Sequence, residues 1–160
     1  MSVESDIQDK LKEAFGEQIL ELKIPRERRM FVRVPLPRVK ETIGYLKQNF
    51  DMTHITTITA IDVGEDIEVL YHFFCQGVAL SLRTSVPKAN PVIDTITPII
   101  PGAILYEREI QDLLGLKVKE HPDPRRLILP EDWPEGVYPL RKDYKVLPEG
   151  QNGAVSINSN

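Results

Sequence analysis

Apolar residues along this 160-residue chain recur with two different periods, and the switches between them divide the sequence into elements. Ile7, Leu11 and Phe15 fall at helical intervals that end at Gly16, and Ser5 and Gln8 have capping-box spacing, so an amphipathic helix is predicted over residues 6–15. The period then becomes two. Leu20, Leu22 and Ile24 alternate with Glu21 and Lys23, and beyond Pro25-Arg26-Glu27-Arg28 the residues Met30, Val32 and Val34 alternate with Phe31 and Arg33, which predicts a hairpin. Val39, Ile43, Leu46 and Phe50 restore a helical stripe, with Pro37 near its first turn. Three β-rich runs follow, 54–63, 67–75 and 78–86, separated by Val63-Gly64 and Gln76-Gly77, and they read as an antiparallel meander. In the middle run Ile67, Val69, Tyr71, Phe73 and Cys75 share one face while Leu70 and Phe74 occupy the other. Helices are expected on one side of the sheet and a different cover on the other.

Asn90-Pro91 is placed to start a short helix through Ile96, and Tyr106, Ile110, Leu113 and Leu114 form a last helical stripe closed by Gly115. The expected fold is α+β, an antiparallel sheet with packed helices and an extended proline-rich C-terminal segment. The predicted divisions are a core domain over 1–115, the extended segment over 116–146 and a flexible tail over 147–160. Pro122, Pro124, Pro130, Pro134, Pro139 and Pro148 exclude long helices and central strands from that last third. Yet Leu127, Ile128, Leu129, Trp133, Val137, Tyr138, Leu140 and Tyr144 are too many large apolar groups for a solvated linker. The segment needs a surface to lie on, either its own domain or another subunit. About 30 residues at ~3.3 Å each reach roughly 100 Å, which favours a path beyond the domain and mobility when no partner is present.

Composition narrows the chemistry. With 41% hydrophobic and 28% charged residues and a net charge of −4, the chain has no general affinity for nucleic acid. Its single cysteine, Cys75, forms no intramolecular disulfide and cannot alone ligate an iron-sulfur cluster or structural zinc. No stretch approaches the ~18 apolar residues of a membrane span and the N-terminus lacks a signal-peptide core, so a cytoplasmic protein is expected. Glu107 and Glu109, two apart on a helix, point to different sides and cannot act as paired carboxylates; Arg108 and Asp112, four apart, have the spacing of an exposed ion pair. Arg26, Arg28 and Arg29 mark a charged turn tip, and His54 and His72 have no partner at metal-ligand spacing. No catalytic residue, cofactor site or metal site is expected.

The denser signal is Tyr106-Glu-Arg-Glu-Ile110, His121-Pro-Asp-Pro-Arg-Arg126 and Pro139-Leu-Arg-Lys-Asp-Tyr144, where charges are interspersed with prolines and apolar anchors. Arginine forks in such a strip suit carboxylates or carbonyls across an interface. Glu107, Arg108, Glu109, His121, Arg125, Arg126, Trp133, Leu140, Arg141, Asp143 and Tyr144 are therefore the expected partner interface.

Together with Pro101-Gly-Ala-Ile-Leu105 and Gln111-Asp-Leu-Leu-Gly115, these motifs resemble the 30 kDa (NuoC-type) subunit family of respiratory complex I over residues 85–144. The resemblance implies a non-catalytic subunit, bearing no cofactor, that packs beside a hydrogenase-like large subunit and iron-sulfur subunits. Iron-sulfur clusters, and a NiFe centre in the hydrogenase case, would belong to those partners. It also implies a peripheral position on the cytoplasmic face of the membrane, with membrane association indirect. Gln111 stands where respiratory members have an aromatic, Glu120 where they have glycine and Pro124 where they have leucine. With Leu129-Pro-Glu-Asp-Trp-Pro134, these departures make the strip more similar to the stand-alone subunit of membrane-bound energy-converting [NiFe] hydrogenases than to that of NADH:quinone oxidoreductases. Two readings of another class stay open on the residues alone: an independent enzyme using His121 and nearby carboxylates, and an assembly chaperone.

Overall fold

The computed structural model describes residues 2–146, so the predicted tail over 147–160 lies outside the described residues. The first helix, α1 (Val3–Phe15), starts earlier than the capping-box spacing suggests, because Ser2 takes the N-cap and its hydroxyl accepts from the Ser5 N–H. Strands β1 (Glu21–Arg26) and β2 (Arg29–Arg33) form the hairpin, and α2 (Val39–Phe50) follows a single 3-10 turn. The meander consists of β3 (Ile55–Asp62), β4 (Asp66–Cys75) and β5 (Val78–Pro87).

These strands join in the order β1-β2-β5-β4-β3. The sheet is therefore mixed and not purely antiparallel: β2 lies parallel to β5, with Met30 opposite Leu80 and Val32 opposite Leu82. The connection through α2 and the meander is long enough for a parallel crossover, which the separate patterns of hairpin and meander do not reveal. Core-facing Met30, Val32, Val69, Tyr71, Leu80 and Leu82 pack with Ile7, Leu11, Ile43 and Leu46 of α1 and α2.

After β5 the chain departs from the expected short helix. Residues Val92–Asp94 form a strand, β6, paired in parallel with β7 (Lys117–Lys119), and α3 (Ile104–Leu114) crosses between them. A proline-initiated helix gives way here to β-branched residues that find a distant partner. Leu116 and Val118 are core residues, so the packed domain continues through β7, past the boundary expected at 115.

Candidate functional site: a clamped strap on the third helix

Helix α3 is built with two working faces. Ile110 and Leu114 face the core, while Arg108 and Asp112 face the proline-rich segment. Residues 120–146 run as a strap over that second face. The anticipated ion pair between Arg108 and Asp112 does not form; each side chain holds strap backbone instead. Arg108 donates to the carbonyls of Arg125 (2.8 Å) and Arg126 (2.9 Å). Asp112 Oδ2 accepts from the N–H groups of Leu127 (2.8 Å), Ile128 (2.8 Å) and Leu129 (3.2 Å). Backbone without regular structure must satisfy its polar groups somewhere, and one helical carboxylate with one guanidinium serves five of them here.

The strap is fastened at both ends. At its start, His121 is buried: its Nδ1 accepts from the Asp123 N–H at 3.0 Å and its Nε2 lies 3.0 Å from the Ile104 carbonyl. That geometry makes Nδ1 the acceptor and places the hydrogen on Nε2. Glu107, fully buried, lies 3.5 Å from the same nitrogen and accepts from the Thr95 hydroxyl (2.6 Å) and the Ile96 N–H (2.7 Å). Burial raises the Glu107 carboxyl above its ordinary value, opposed by those hydrogen bonds. At the far end, Leu140 N–H bonds Leu113 O at 3.0 Å, Arg141 Nε bonds Leu114 O at 2.7 Å, and Lys142 N–H bonds Asp62 Oδ2 at 3.0 Å. Asp62 also meets Lys88 Nζ at 2.7 Å; that ammonium, the Lys142 N–H and the Gly64 N–H hold its carboxyl well below the usual carboxylate range.

Between these ends the strap folds on itself. Arg126 Nη1 bonds the carbonyls of Pro130 (3.0 Å) and Trp133 (2.6 Å), and Trp133 Nε1 bonds Val137 O at 2.8 Å. Trp133 and Tyr144 pair with ring centroids 6.3 Å apart, and Arg141 lies over the Tyr138 ring. Gly115 closes α3 at φ 74° directly beneath Tyr138, and a Cβ there would sit inside the van der Waals envelope of the ring. A cleft of about 300 Å³ remains beside the strap, lined by Gln111, Arg126, Trp133 and Tyr138 among others.

These positions revise the expected interface residue by residue. Glu107 and His121 are turned inward and offer nothing to a partner. Arg108, Arg126 and Arg141 spend their donors on this chain's own carbonyls, and Trp133 and Tyr144 are half-buried within the strap. Glu109 is half-exposed; Arg125, Asp143 and Leu140 point to solvent, although Arg125 is forked onto Asp123 at 2.7 and 2.8 Å. Apolar groups that the interface prediction left out join them: Leu105 is 50% and Ile128 54% exposed, beside Leu140 at 57%. The signal available for Ile128 was its place in an apolar triplet that proline keeps out of any core strand. Likewise the path beyond the domain, and the mobility expected without a partner, give way to a strap laid on its own α3, because that helix supplies the acceptors and donors. Cys75 is half-buried, its thiol donating to the Phe50 carbonyl at 3.0 Å. Among the described residues no three His, Cys, Asp or Glu side chains are grouped to hold a metal ion, and no helix is long and apolar enough to cross a membrane.

The family model described as "Respiratory-chain NADH dehydrogenase, 30 Kd subunit" matches residues 32–149, a span that contains most of the sheet, α3 and the whole strap. Membrane-bound hydrogenase subunit beta of Pyrococcus furiosus is 33% identical over 156 residues, covering 93% of this chain and 90% of the relative. A subunit of the NADH-quinone oxidoreductase of Geobacter sulfurreducens is 36% identical over 143 residues, 84% of this chain and 85% of the relative. A chain in the structure of the membrane-bound sulfane sulfur reductase, an archaeal respiratory membrane complex, superposes with a TM-score of 0.80 at 27% identity, covering 89% of this chain and 86% of that one.

Proposed function

The chain belongs to the 30 kDa subunit family of the respiratory-chain NADH dehydrogenase, and from that premise we propose that it is a non-catalytic docking subunit of a complex I-like, membrane-bound [NiFe] hydrogenase. The observation that carries the docking role is the self-held strap: Arg108 and Asp112 fix its backbone so that Ile128 and Leu140 stand outward instead of collapsing into the domain. Exposed large apolar groups on a rigid, internally hydrogen-bonded platform are what a permanent protein interface requires, because ordering them on binding costs little. The hydrogenase assignment is supported by Gln111, Glu120 and Pro124, by Leu129-Pro-Glu-Asp-Trp-Pro134, and by the match to the Pyrococcus furiosus subunit along nearly the whole chain. The partners are a hydrogenase-like large subunit and iron-sulfur subunits, which carry the clusters and the NiFe centre. The membrane is reached through other subunits, at its cytoplasmic face.

The test is purification through an affinity tag on this chain from detergent-solubilised membranes of the source organism. Recovery of a large subunit with nickel-ligating cysteine pairs, together with hydrogen evolution by the preparation, is expected. Recovery of an NADH-binding subunit with NADH oxidation would replace the hydrogenase by the NADH-quinone type that the Geobacter relative's name describes. Recovery of the chain alone would overturn the docking role.

A further inference from the structure

The five-stranded sheet has two faces, and α1, α2 and α3 occupy one. The registers put Phe31, Ser81 and His72 in one row across β2, β5 and β4 on the opposite face, and Arg33, Arg83 and Leu70 in the next. Leu70 is absent from the helix-side core, and on this second face Phe74 is 55% and Ile61 46% exposed. Among the described residues no element covers it.

The charge on this face is opposite in sign to that of the chain. Lys23, Arg29, Arg33 and Arg83 share it with two carboxylates, Glu21 and Glu68, whereas the whole sequence has a net charge of −4. Lys23 is paired with Glu21 at 2.5 Å, and Arg33 and Arg83 converge on one oxygen of Glu68 at 2.7 and 2.5 Å. One carboxylate thus serves two guanidiniums, and among the described residues Arg29 meets none; it stacks on Phe31 at 4.9 Å, with Arg83 at 5.9 Å from the same ring. Guanidiniums held flat by ion pairs and ring stacking, with donors to spare, are shaped for carboxylates. Large apolar groups beside them supply the desolvated centre of an interface.

We propose that this open sheet face is a second docking surface, which receives an acidic segment of a neighbouring protein subunit. The proposal rests on the docking reading above and adds a contact on the sheet side, away from the strap. Charge complementarity selects the occupant. A second copy of this chain would oppose guanidiniums to guanidiniums. A lipid surface would call for long, freely projecting cations, whereas Arg33 and Arg83 are tied down to Glu68.

The test uses the complete assembly, with a photo-crosslinking amino acid placed at Phe74 and, separately, at Ile128. The Phe74 adduct should map to a stretch of another subunit rich in aspartate and glutamate, distinct from the stretch captured at Ile128. Arg29→Glu should lower its yield severalfold, Arg29→Lys should keep most of it, and the melting temperature of both variants should stay within a few degrees of the parent. Phe74→Glu, at an exposed position, should cut incorporation of this chain into the assembly by a similar factor. Adducts at Phe74 only with lipid, with a second copy or with a non-acidic stretch would overturn the proposal, as would silence at Phe74 while Ile128 reacts. Silence at Ile128 with an acidic adduct at Phe74 would overturn the strap's role and support this one.

Discussion

The sheet domain and the strap are adjacent in one chain but are held together by different physics. In the domain, side chains such as Leu46, Tyr71 and Leu82 are removed from water almost completely, and stability follows the apolar area they bury. In the strap, Ile128 and Leu140 remain exposed, and the backbone is positioned by Arg108, Asp112 and Arg141. Packing over-determines the first region. The second depends on a few hydrogen bonds, each contributing about 0.5–3 kcal/mol. A region built this way keeps its shape without consuming its apolar groups, which leaves them free for another protein.

The contrast sets an order of effects. Leu82→Ala removes a fully buried side chain from a central strand and should lower the unfolding free energy by about 2–5 kcal/mol in a denaturant titration, affecting the whole domain. Asp112→Ala strips the acceptor from three strap N–H groups. It should cost about 1–3 kcal/mol, mostly locally, so hydrogen exchange should quicken at 127–129 while the amides of β4 and β5 keep their protection. Equal loss of protection in both regions would mean that strap and sheet unfold as one unit.

Glu107 joins the two regions and has a pH signature. Its folded pKa is raised above the ordinary 4.5 by burial, so its stabilising contribution is full below that value and declines as pH rises through the folded pKa. Asp62 has the opposite sign: its depressed value makes its contribution present at neutral pH and lost only in strong acid. Glu107→Gln should therefore melt close to the parent at pH 4 and gain on it toward pH 8. A constant difference across that range would place the titration elsewhere. The smallest effect is at Glu120, where a non-glycine residue sits at φ 59°. Glu120→Gly relieves that conformation and should raise stability by at most about 1 kcal/mol, with the melting temperature as readout.

The sequence made the domain's elements legible because alternation and helical spacing report burial directly. Val39, Ile43, Leu46 and Phe50 are all buried on α2, and Ile67, Val69, Tyr71 and Phe73 are all buried on β4. It did not show that β2 joins β5 in parallel, or that Val92–Asp94 pairs with Lys117–Lys119, because partners so distant leave no local pattern. In the strap, the motifs around Glu107, His121 and Arg141 were legible as important, but charge and proline content do not say which way a side chain turns. Glu107 and His121 face inward, Arg125 and Asp143 outward, and the direction is set by hydrogen bonds to α3 and to the chain just after β6. Glu120 is the exception that local reasoning reaches, since a position where relatives carry glycine is one where positive φ is expected.

The central claim is that the strap is a preformed platform whose outward apolar groups bind the large subunit. It is tested most directly by the amount of large subunit recovered per tagged copy of this chain carrying both Ile128→Asp and Leu140→Asp. Recovery below about a tenth of the parent is predicted, as expected for loss of two anchors worth ≥1 kcal/mol each, with the melting temperature of the isolated chain unchanged. Full recovery of the large subunit would contradict it.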